Sequence, residues 1–144
     1  MAVFNPSRNE ARGFFFDTWK KYKEQELLSG LEKLAVEIII LHPEYHSVLD
    51  DPARYLERDY LPDMGDVNPF LHMAMHLAIE EQLSIDRPPG IRRLFEQILQ
   101  KASDRHAVYH LLMECLTEMI WRAQRANTAP DERSYLECLE KHAA

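Results

Sequence analysis

Three short segments place together residue types able to do chemistry. "NPFLHMAMHLAIEEQLS", residues 68–84, sets His72, His76 and Glu80 four residues apart. "HAVYHLLMECLTE" repeats the pattern with His106, His110 and Glu114, and Glu118 follows one step further along. "HPEYHSVLD" gives a third, less regular set: His42, His46 and Asp50. Four residues are just over one helical turn, so each set forms a ladder along one side of a helix. A random scatter of seven histidines predicts about 0.3 pairs at this spacing. The chain has three such pairs, which use every histidine except His142. Chance does not explain them.

Imidazole and carboxylate are both good ligands for divalent transition metals. A polar side chain buried without a partner costs roughly 2–7 kcal/mol, and a bound ion relieves that cost. His72 and His106 also fall in the first turns of their expected helices. The positive helix end there disfavours imidazolium and keeps the ring neutral, as a ligand must be. The candidate ligand pool is therefore His42, His46, His72, His76, Glu80, His106, His110 and Glu114. So many donors exceed the four of a structural zinc and suit a centre, dinuclear if fully used, inside a helical bundle. The expected cofactor is a divalent transition metal, iron first, with manganese or zinc as alternatives. It would support redox or oxygen-linked chemistry, or hydrolysis at an open zinc position.

The donor types resemble those of hemerythrin-like proteins. The order differs, because that family has HxxxE on one helix and HxxxH on the next, whereas HxxxHxxxE occurs here twice. The ExxH pairs of ferritin-like proteins are absent. A reading from a different class is a non-enzymatic interaction or regulatory module whose histidines form a hydrogen-bonded core network. Bis-histidine haem is a third; without CxxCH it would not be covalently attached. Cys115 with His110 makes a poor nucleophile pair, since the two lie about 140° apart on a helical wheel.

Positioning these side chains requires helices, and helix signals dominate the chain. Ser7 with Glu10 reads as a capping box opening a first helix that runs to about Leu28 and stops near Gly30. A second helix starts near Leu31 and meets Pro43, and "PEYHSVLD" supplies a further helical piece. Residues 51–67, with Pro52, Pro62 and Gly65, read as a long irregular connection with one short turn of helix. Asn68 as N-cap and Pro69 at the first helical position open a third helix that ends before "DRPPG". Further helices are expected over Ile91–Lys101, from Ser103 or Asp104 to about Ala126, and after Asp131. The expectation is an all-α, five- or six-helix bundle with an up-down core, in one domain spanning residues 1–144. Helices three and five would then run parallel, with His72 level with His106, His76 with His110 and Glu80 with Glu114. Trp19, Trp121 and the methionines Met73, Met75, Met113 and Met119 are expected in the core.

Composition narrows the partners. A formal net charge of −7 argues against nucleic acid and anionic membranes. The longest aliphatic run, "AVEIIIL", is too short for a membrane span. The start of the chain lacks the basic-then-apolar order of a signal peptide, which points to the cytoplasm. Cys115 and Cys138, far apart and in no CxxC, are expected as reduced thiols.

Finally, "FNPSR", "FFFDTW", "HPEYH", "NPFLHMAMHLAIEEQLSIDRPPGIR" and "MECLTEMIWRAQR" resemble a bacterial, mainly proteobacterial, family known as domain of unknown function 1841. The resemblance covers nearly the whole chain. It implies a small cytoplasmic bacterial protein and no particular activity, substrate or cofactor.

Overall fold

A computed structural model describes residues 8–60 and 68–144. The chain is all-α: eight α-helices and one 3-10 turn, with no strand among the described residues. It divides into two compact units, Met1–Leu77 and Ala78–Ala144, and the division falls inside one continuous helix.

In the first unit, α1 (Arg8–Lys23) buries Phe15, Phe16 and Trp19. It ends at Lys23, sooner than the expected Leu28, with Gln25 following in the left-handed region. The capping box expected from Ser7 lies outside the described residues. Another was overlooked: Ser29 accepts from the Glu32 backbone N–H, and the Glu32 carboxylate accepts from the Ser29 N–H, opening α2 (Gly30–Ile40). Gly30, expected as a stop, is thus the first residue of the next helix. Pro43 starts a 3-10 turn, Pro43–Tyr45, followed by two single-turn helices, α3 (His46–Leu49) and α4 (Pro52–Tyr55). The first half of α5 (Pro69–Ile85) adds Phe70 and Met73 to a core of Phe15, Phe16, Trp19, Ala35, Ile38, Ile39 and Leu49. Arg12, buried beneath this layer, donates to the carbonyls of Leu56 at 2.9 Å and Arg58 at 2.7 Å, so it ties α1 to the chain after α4. As expected, Asn68 caps α5, accepting from the N–H groups of Phe70 and Leu71.

In the second unit, the end of α5 leads through a turn to α6 (Ile91–Lys101), α7 (Arg105–Ala126) and α8 (Glu132–Ala143), which pack on one another. Asp86 builds the turn: its carboxylate accepts from the N–H groups of Gly90 and Arg92, and Arg92 reaches back to the carbonyls of Leu83 and Ser84 at the end of α5. Gly90, at φ +95°, occupies the backbone region a side chain would disfavour. Asp104 caps α7 and Asp131 caps α8, each accepting a backbone N–H two residues on. The core holds Ile91, Leu94, Phe95, Ile98, Val108, Leu112, Leu116, Tyr135 and Leu139. Trp121 is not part of it: the ring is 52% exposed and carries the Arg125 guanidinium on its face.

Candidate metal centre

Three of the ladder histidines meet within the first unit. His42 follows the C-terminus of α2, while His72 and His76 stand one turn apart on α5. Their ring centroids are 4.8 Å apart for His42–His72, 4.9 Å for His42–His76 and 5.0 Å for His72–His76. His42 and His76 are almost wholly buried, at 2% and 3% exposure. His72 is half-buried.

The His42 ring has a fixed tautomer. Its Nδ1 lies 2.7 Å from the Ile38 carbonyl oxygen, which only accepts, so Nδ1 carries the proton. In the neutral ring Nε2 is then the lone-pair nitrogen, and it lies 3.1 Å from His72 Nε2, whose N–H donates to it. A carbonyl that fixes one ring nitrogen and aims the other is the usual arrangement behind a metal-ligating imidazole. Tyr45 stacks almost parallel on His42 at 5.2 Å, and burial, with Glu44 nearby, raises its pKa.

The second unit holds the other pair. His106 and His110 lie one turn apart near the start of α7, with ring centroids 4.3 Å apart, and both are half-buried. Glu80, at the start of this unit, accepts a 2.5 Å hydrogen bond from the Tyr109 hydroxyl. Burial, then the bond to Glu80, pushes the Tyr109 pKa up to about 12. The phenol therefore stays a donor at any ordinary pH.

The remaining candidates face elsewhere. His46 stacks on Trp19 at 4.5 Å and its Nε2–H donates to the Ile39 carbonyl at 2.9 Å. Asp50, at the end of that ladder, is committed to Lys23 and to the Trp19 indole N–H. Glu114, expected to be buried, is exposed on α7. Tyr45 and Tyr109 were not singled out from sequence, since a tyrosine beside a histidine carries no spacing signal of its own.

The expectation of reduced thiols is overturned. Cys115 and Cys138 are joined in a disulfide, with Cα atoms 5.8 Å apart, and no free cysteine remains. Their separation of 23 residues hid the pairing, which arises because α7 and α8 pack side by side.

The model of the family described as Domain of unknown function (DUF1841) matches residues 7–141. The chain belongs to this family. No curated protein and no solved structure matches it. Membership in the DUF1841 family thus supplies no ligand set or reaction, and no helix among the described residues is long and apolar enough to cross a membrane.

Proposed function

We propose that this protein binds a divalent transition metal on its ladder imidazoles, with His42 and His76 in the first unit and His106 and His110 in the second as the candidate ring-nitrogen donors. The observation that carries the reading is the convergence of His42, His72 and His76, with the His42 ring aimed by a backbone carbonyl. His72 has a different part. Its N–H occupies the nitrogen that His42 would turn to a metal, so His72 must give way on loading.

The carboxylates argue against a bridged pair of ions. Glu80 is committed to Tyr109, and Glu114 is exposed. Imidazole nitrogen without thiolate suits iron, zinc, copper and nickel. With iron, which takes more than four donors, positions stay open for redox or oxygen-linked chemistry. With zinc, an open position would support hydrolysis, whereas a closed set of four donors would be structural.

The same contacts favour one other reading, a non-enzymatic module with a hydrogen-bonded histidine core, because His42 and His72 already satisfy each other. Metal content separates the two. Protein purified without chelator or a metal-affinity tag, with its disulfide intact, should carry bound metal after reconstitution, and His76→Gln and His110→Gln should each reduce it sharply. In the oxidised protein His142→Gln should leave the content unchanged. Under the core-network reading the two variants instead destabilise the fold by roughly 1–3 kcal/mol and there is no metal to lose.

A further inference from the structure

We propose a second metal site, independent of the histidine centre, that the disulfide closes and its reduction opens: Cys115, Cys138 and His142, with Glu118 as the fourth donor. It lies wholly within the second unit. The sulfurs of Cys115 and Cys138 and one ring nitrogen of His142 all lie within 4.8 Å of one another. Cys138 and His142 are four apart on α8, hence on one face, and Cys115 and Glu118 are three apart on α7. A Glu118 carboxylate oxygen lies 4.0 Å from the Cys138 sulfur, while its other oxygen is held at 2.7 Å by Arg122. Two helices thus present two sulfurs, an imidazole and an oriented carboxylate to one point.

Access is graded across the site. Cys115 is fully buried, Cys138 half-buried and His142 exposed. A cleft of about 320 Å³ reaches it, lined by Glu118, Cys138, Lys141 and His142. A reductant or an ion therefore arrives at Cys138 first. Around a tetrahedral zinc two thiolate sulfurs stand about 3.8 Å apart. Cα atoms 5.8 Å apart leave room for that without moving the helices. Leu116, Tyr135 and Leu139 are buried where α7 and α8 pack, so the helix pair has an apolar core besides the staple.

The chemistry balances with a dithiol as the co-reactant. It gives two electrons and two protons to the protein's S–S bond, which breaks into two thiols, while the dithiol closes to its own disulfide. A zinc-class cation then takes the two thiolates and releases the two thiol protons. In reverse, a small-molecule disulfide takes back the two electrons and becomes a dithiol, and the protein's S–S bond re-forms. The ion then leaves, because the sulfurs of a disulfide carry no thiolate charge for it. The same pair holds a covalent staple under oxidising conditions and a metal under reducing ones.

The test uses full-length protein carrying His76→Gln and His110→Gln, so that the histidine centre is silent. One half is reduced with a phosphine, freed of it anaerobically, and both halves are titrated with cobalt(II). The reduced protein should develop a near-ultraviolet thiolate-to-cobalt charge-transfer band that saturates at one equivalent and is displaced by zinc; the oxidised protein should show none. Cys138→Ser should abolish the band, and His142→Gln and Glu118→Gln should each weaken binding by about tenfold or more, since even outer partners of a metal site are worth that much. A reduced chain that shows no band, keeps full affinity in His142→Gln, or loses its helical circular dichroism on reduction would overturn the proposal.

Discussion

His42 is held from two sides, by the Ile38 carbonyl on Nδ1 and by His72 on Nε2. If His72 competes with the ion for that nitrogen, His72→Gln should leave the metal stoichiometry unchanged while changing the affinity. Loss of the ion in this variant would instead make His72 a ligand. Tyr109 offers a second probe at this scale. Tyr109→Phe removes the hydrogen bond that keeps the half-buried Glu80 satisfied, so urea unfolding should show a loss of roughly 1–3 kcal/mol. At the residue scale the sequence named the histidines through their spacing, a property of one helix at a time. It did not place Glu114, because i, i+4 spacing says which residues share a face but not whether that face is covered. Nor did it find Tyr45 or the Ile38 carbonyl, which act through geometry set by the Pro43 turn.

At the scale of elements, the caps were legible where a side chain and a helix start coincide in sequence, as at Asn68, Asp104 and Asp131. The end of α1 was not legible, since the chain from Lys23 to Ser29 has no proline or glycine to mark it. The overlooked capping box at Ser29 has a measurable consequence. Ser29→Ala should cost about 0.5–2 kcal/mol, read as a lower denaturant midpoint with an unchanged slope. The turn between α5 and α6 should show in the pH dependence. The backbone N–H of Arg92, then that of Gly90, holds the Asp86 carboxyl below its ordinary value of 3.8. The stability it contributes is complete above that ordinary value and is lost as pH falls through the lower folded-state value. Asp86→Asn, which keeps an acceptor oxygen but cannot ionise, should therefore flatten the acid side of the stability profile below pH about 4. An unchanged acid limb would show that the carboxylate is not coupled to folding.

At the scale of the whole molecule, the all-α class followed from few glycines, dense capping signals and helical periodicity. Helix-to-helix pairing did not follow from them. Periodicity gives each helix a face but no partner, which is why the Cys115–Cys138 pairing and the exposure of Trp121 emerged only in three dimensions. A metal bound only to the folded state stabilises it by mass action, by about 2.7 kcal/mol at a hundredfold excess over Kd. Saturating metal should raise the thermal midpoint at neutral pH. The rise should vanish as pH drops through the histidine range, where protons compete for the same nitrogens. A shift of the same size at pH 5 would point to surface carboxylates.

The most direct measurement is X-ray absorption at the edge of the metal bound to the oxidised protein. Imidazole ligation predicts a first shell that contains nitrogen, near 2.0–2.1 Å if the metal is zinc, with the outer-shell scattering of histidine rings. That signal should collapse in the His76→Gln, His110→Gln double variant. A shell of oxygen alone, a sulfur contribution, or an unchanged spectrum in the double variant would contradict the histidine centre.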